Sequence, residues 1–207
     1  MYKPILFNTE MVKAILDGRK NQTRRIIKPQ PTNPRWNNVG WLGWDDGHGY
    51  RMKPPCEVDD ILWVRETWCD PALDSVYSPI FYKADFPMHW DADQTEHGET
   101  VDITADEFKW QPSIHMPKEA ARIFLRVKKV YVERLQSVDG MQILAEGVDN
   151  GMSNPSMGKR WENMQRIAFA KLWDSTIKHS DIDQFSWRAN PWVWVIEFER
   201  CEMPADF

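Results

Sequence analysis

Between residues 9 and 29 the chain passes from helical to strand periodicity across one glycine, and this junction constrains the fold more than any other segment. Met11, Val12, Ile15 and Leu16 fall on one helical face, which predicts a helix over roughly 9–18. Asn8 or Thr9 can cap its start, and Gly18 suits the left-handed position past its end. Thr23-Arg24-Arg25-Ile26-Ile27 then reads as a short strand that Pro29 cannot continue. The stretch Gly18–Arg25 packs Arg19, Lys20, Arg24, Arg25 and the Thr23 hydroxyl between these elements. Held by rigid neighbours, Lys20 and Thr23 suit a polar or anionic ligand better than a casual surface loop.

Strand patterns recur along the chain. Ile5–Asn8 reads as a first strand, and the apolar run Asp60–Trp68, interrupted by Arg65 and Glu66, as a central one. Residues 122–134 form a long strand whose apolar parity switches after Val127, which implies a bulge near Lys128–Lys129. Helices are expected over 139–146 and 159–174, the second offering Ile167, Phe169, Ala170 and Trp173 for packing. A last strand covers 192–199. Strands interleaved with a few helices favour a single α+β domain over 1–207, built on a curved or barrel-like sheet. Its core is elaborated by a loop at about 28–55, holding Trp36, Trp41 and Trp44, and by an insertion at about 69–112.

Charge narrows the partners. The chain carries −5, yet the stretch 85–107 holds eight acidic residues and no Lys or Arg, so the remainder stands at +3. That balance disfavours a constitutive nucleic-acid coat and leaves room for a modest basic face. Cys56, Cys69 and Cys201 have no Cys-x-x-Cys spacing, and the five His are scattered, so neither a zinc site nor a disulfide framework is expected. No apolar run approaches a membrane span, and the expectation is a cytoplasmic protein without metal or cofactor. The twelve Trp are mostly expected in the core, with one or more available to stack on a base.

The motif Ile15-Leu16-Asp17-Gly18-Arg19-Lys20-x-x-Thr23-x-Arg25 resembles the signature of ASCH domains, members of the PUA-like superfamily. Asp59–Glu66, the Ala145-Glu146-Gly147 end of a helix and the strand at 192–198 resemble later segments of the same family. The likeness covers about 5–27, 57–68, 120–148 and 190–200, and is closest to the longer, Trp-rich ASCH proteins of phage and prophage genomes. Asp59 departs from the pattern by standing where the family has a turn glycine.

The resemblance implies a nucleobase or nucleotide pocket. It also implies, from one branch of the family, an amidohydrolase removing an acyl group from N4-acetylcytidine through Lys20, Thr23 and Glu146. In that chemistry Thr23 or a water beside it attacks, a neutral Lys20 serves as base, and Glu146 passes the proton to the leaving amine. A charged Lys20 would instead stabilise the oxyanion. Arg19 and Arg25 are candidate ligand contacts, with Arg25 sharing the strand parity of Thr23, whereas Arg24 does not. Trp63, Arg65, Glu66 and Trp68 on the central strand are further candidates to line a pocket.

Three functions fit these residues: the amidohydrolase, a non-catalytic reader of a modified or flipped base in RNA or DNA, and a ribonuclease. Against the last, no carboxylate cluster for metal ions lies near Lys20 in sequence. Equally, Lys20 and Thr23 can simply close the helix–strand turn, with Glu146 as an ion-pair partner.

Overall fold

The computed structural model describes residues 1–31, 33–37, 40–45, 53–70, 80–90, 101–103, 105–148, 156 and 158–207. Asp91, Asp93, Glu96 and Glu99 of the acidic stretch lie outside the described residues, as do the side chains of Trp36, Trp41 and Trp44. In chain order the strands are β1 (Tyr2–Leu6), β2 (Gln22–Ile26), β3 (Asn33–Asn37), β4 (Gly40–Asp45), β5 (Ile61–Arg65), β6 (Trp68–Cys69), β7 (Phe81–Tyr82), β8 (Met88–Trp90), β9 (Val101–Ile103), β10 (Phe124–Arg134) and β11 (Trp192–Cys201). The helices are α1 (Thr9–Leu16), α2 (Gly140–Ala145), α3 (Lys159–Ser175) and α4 (Ile182–Phe185).

A five-stranded sheet has the order β1-β5-β10-β11-β2, and three two-stranded ribbons, β3-β4, β6-β7 and β8-β9, accompany it. The β1-β5 pair is parallel and the β11-β2 pair antiparallel. Strands and helices are thus mixed in the α+β manner expected. The sheet runs from β1 to β2, with no pairing of those two ends among the described residues.

Two compact units divide the chain. One comprises Met1, Gly18–Asp60 and Arg126–Arg200; the other comprises Tyr2–Asp17, Ile61–Leu125 and Cys201–Phe207. In the first, Val193 and Val195 of β11 pack with Leu135, Val138, Ile143, Phe169 and Trp173, so α2 and α3 cover one face of the strand. On the other parity, Trp194 packs with Ile27 and Val132. In the second unit Ile5, Phe7, Val12, Ile15, Leu62, Val64, Phe124 and Leu125 are buried. There Trp68, Met116 and Ala120 form a further cluster.

The elements follow local chemistry, with shifts at their ends. The first strand is Tyr2–Leu6 rather than Ile5–Asn8, because Asn8 serves as the N-cap of α1 and its side chain accepts from the Met11 N–H. The run at 60–68 stops at Arg65 and resumes as the short β6. Alternation along β10 breaks at Lys128 and Lys129, both exposed, where the parity switch lies. Ile167 does not pack inward as expected. It is 57% exposed, because the buried stripe of α3 runs through Trp161, Gln165, Phe169 and Trp173. Asp59 takes the left-handed conformation itself, at φ 67, so the aspartate adopts the backbone state a turn glycine would supply.

Candidate functional site

Lys20 is brought to α2 by two turns. Gly18 lies in the left-handed region at φ 72 and redirects the chain after α1. At the far side α2 opens on a capping box: Asp139 accepts from the Gln142 N–H, and the Gln142 side chain accepts from the Asp139 N–H. It closes at Glu146, followed by Gly147 at φ 82. Lys20 and Glu146 form an antiparallel bridge, the Asn21 N–H donates to the Ala145 carbonyl (2.9 Å), and the Asn21 carbonyl accepts from Phe198 (2.9 Å). Lys20 is therefore held by main chain on both sides before its side chain makes any contact.

The Lys20 side chain is fully buried. Its ammonium donates to the Gln22 carbonyl, the Glu146 carbonyl and Glu146 Oε2, each at 2.8 Å, so three oxygens meet its three protons. The other Glu146 oxygen accepts from Arg24 Nη1 at 3.0 Å. Arg24, also fully buried, directs Nε (2.9 Å) and Nη2 (2.7 Å) to Glu133 and crosses the Phe169 ring at 5.9 Å. Arg24 Nη1 also donates to the Gln22 side chain. Lys20 and Arg24 thus meet the Glu133 and Glu146 carboxylates in a paired cluster, which is how buried charges become tolerable.

Tyr131 extends the cluster. Its hydroxyl accepts from Gln22 Nε2 (3.3 Å) and Gln142 Nε2 (3.2 Å). Burial, together with Glu133 and Glu197, pushes this hydroxyl up to about 12. Gln142 therefore links the α2 cap to the buried charges. Burial holds the Lys20 ammonium below its ordinary value, against the opposing pull of Glu146. Arg25 is likewise lowered by burial, with Glu146 countering.

The motif residues divide by strand parity. Thr23 is buried and pairs with Ile196, while Arg25 pairs with Trp194, both on the parity opposite to Gln22 and Arg24. Lys20 and Glu146 are in direct contact, and Arg24 forms a close ion pair with Glu146. Arg24, Glu133, Gln22 and Tyr131 were missed in the sequence. The available signal was the shared parity of Gln22 and Arg24, read outward from Lys20 instead of from Thr23.

Arg19 is exposed, and its Nη1 donates to the Gly147 carbonyl at 3.3 Å. It lines a pocket of about 360 Å³ with Asn21, Met141, Leu144, Ala145, Gly147 and Val148. The floor is apolar, and the rim carries a guanidinium and a carboxamide. That volume falls in the range of small-molecule sites.

Trp63, Arg65, Glu66 and Trp68 belong to the second unit. Glu66 is almost wholly buried and takes a two-pronged ion pair from Arg122, at 2.9 and 3.0 Å. Arg122 also donates to Asp85 (2.7 Å) and lies 3.9 Å over the Tyr82 ring. Burial raises the Glu66 carboxyl despite Arg122. Arg65 donates to the Met116 and Ile114 carbonyls and lies over Trp63. Trp68 is buried against Met116 and Ala120.

No group of three or more His, Cys, Asp or Glu able to hold a metal occurs among the described residues, and no helix among them is long and apolar enough to cross a membrane.

No family model matches the chain, and no curated protein matches it. A solved structure to which it is similar is the ASCH domain from Lactobacillus crispatus JV V101, with 10% identity over 98% of this chain and 80% of that one, at a TM-score of 0.39.

Proposed function

We propose that this is an ASCH-type domain that binds a nucleobase, in a modified nucleoside or in RNA or DNA, without chemistry. The pocket of Arg19, Asn21, Met141, Leu144 and Val148 is the binding site. The observation that carries this reading is the closed state of Lys20: its three protons meet three oxygens at 2.8 Å, so it is a strut beneath the pocket and not a base within it. The apolar floor accepts a flat ring. Arg19 offers a guanidinium plane or a charge-assisted hydrogen bond, and Asn21 a carboxamide that can both donate and accept.

A second reading, hydrolysis of N4-acetylcytidine through Lys20, Thr23 and Glu146, is favoured by one observation: burial lowers the Lys20 ammonium toward the neutral form that a base requires. One titration separates the two. N4-acetylcytidine is added to the full chain, with heat recorded for binding and absorbance for turnover. Saturable binding without turnover, weakened about tenfold or more in Arg19→Glu, supports the binding domain. Turnover abolished in Lys20→Ala supports the amidohydrolase. Neither heat nor turnover with this nucleoside, nor heat with a mixed-sequence RNA or DNA oligonucleotide, rejects both readings.

A further inference from the structure

A second concavity, sharing no residue with the first, lies along the outer face of α3. It has a volume of about 590 Å³ and is lined by Asn163, Arg166, Ile167, Ala170, Lys171, Asp174 and Trp187. The six helical residues recur in alternating steps of three and one, the spacing of a single helical face, so the groove tracks α3 for roughly 16 Å, at about 1.5 Å per residue. Trp187 forms the opposite wall.

This wall is built to stay in place. The Trp187 N–H donates to Asp174 Oδ1 at 2.6 Å, and its carbonyl accepts from Gln136 Nε2 at 2.8 Å. Its indole meets the Phe169 ring edge-on at 5.9 Å and stands 5.3 Å from the Arg166 guanidinium. Arg166 is itself tied to the Val138 and Gln136 carbonyls. A groove with both walls pinned in advance loses little freedom when something enters it.

Ile167 marks the groove as more than a surface crease. It is an aliphatic side chain, more than half exposed, on the face of α3 that the core leaves to solvent. Ala170 and the half-buried Trp187 extend its apolar surface. Arg166 and Lys171 outnumber Asp174 on the lining, and the Asp174 carboxylate already accepts from Trp187. Apolar floor and cationic excess together call for an occupant with an apolar side chain and neighbouring negative charge.

We infer that this groove docks a short acidic peptide segment of a partner protein, with one apolar side chain seated between Ile167, Ala170 and Trp187 and a carboxylate facing Lys171. A polynucleotide fits less well, because its affinity comes from several phosphate contacts. The lining supplies two cations, of which Arg166 is engaged by two carbonyls.

The test is selection of displayed random peptides on the immobilised full chain. Enriched sequences are then synthesised and titrated while the indole N–H resonance of Trp187 is followed. The expected peptides pair Asp or Glu with Leu, Phe or Trp, and shift that resonance. They lose about tenfold or more in affinity for Ile167→Asp and for Lys171→Glu, whose side chains are exposed and whose circular dichroism should match wild type. Four results overturn the inference: no enrichment over a blank surface, enrichment of basic peptides, peptides that bind Ile167→Asp as tightly as wild type, or a mixed-sequence RNA oligonucleotide that displaces the peptide and itself depends on Lys171.

Discussion

Lys20 and Glu146 meet twice: the same ammonium donates to the Glu146 carboxylate and to the Glu146 carbonyl, both at 2.8 Å. The double contact ties a side chain and a helix end to one point, so loss of Lys20 affects both. Lys20→Met leaves the buried Glu146 without the ammonium, and Glu146→Gln leaves the ammonium without its carboxylate. Each single change should cost about 3–5 kcal/mol in urea denaturation, the range for breaking one side of a buried pair. The double variant should cost less than the sum of the two. Strict additivity would mean that the two side chains do not act as a pair.

Tyr131 gives the cluster a pH signature. Its hydroxyl is raised to about 12 in the folded chain, from an ordinary 10.0. For an acid held high, the unfolded chain releases its proton first. The stabilising contribution is therefore present below pH 10 and lost as the pH rises toward 12. Denaturant midpoints taken across that range should fall more steeply for wild type than for Tyr131→Phe. Parallel slopes would remove Tyr131 from the account.

Glu66 follows the same sign in a lower window. Burial holds its carboxyl above the ordinary 4.5 even though Arg122 binds it at two points. Its contribution is complete below about pH 4.5 and declines as the pH rises through the folded value. The stability difference between wild type and Glu66→Gln should thus shift in favour of the glutamine as the pH is raised from 4 to 7. A shift the other way would show that the ion pair outweighs burial.

Gly140 sits directly beneath an indole. A β-carbon placed there would lie 2.4 Å from Cζ3 of Trp161, too close for any carbon pair. The gain in helix propensity that alanine normally brings is overwhelmed, and Gly140→Ala should destabilise by about 1–3 kcal/mol in thermal or urea unfolding. Combining it with Trp161→Leu should recover part of the loss.

The α2 cap is a smaller and cleaner test. Asp139→Ala removes the acceptor for the Gln142 N–H and should cost about 1 kcal/mol. Because Gln142 also reaches Tyr131, the same variant should perturb the Tyr131 ring resonances. A stability loss with unchanged Tyr131 signals would confine the cap to α2.

The junction that opens the sequence was legible because each of its parts is local: Asn8 caps, Gly18 turns, and the strand follows within a few residues. The charged cluster was not. Arg24 finds Glu133 across 109 positions and Glu146 across 122, and no local period encodes such partners. Reading parity from Thr23 directed attention to Arg25, whereas the contacts start at Lys20, before the strand begins. Ile167 misled for a related reason: helical spacing defines a stripe, but only the neighbouring strands decide how wide the buried part of that stripe is.

The enclosure of Lys20 has a chemical consequence as well as a structural one. An amine with no exposed side-chain surface and its three protons already shared is hidden from water-borne electrophiles. Acylating reagents should modify the surface lysines of the folded chain and leave this one untouched, so its labelling would report the moment when the strand and the helix end part.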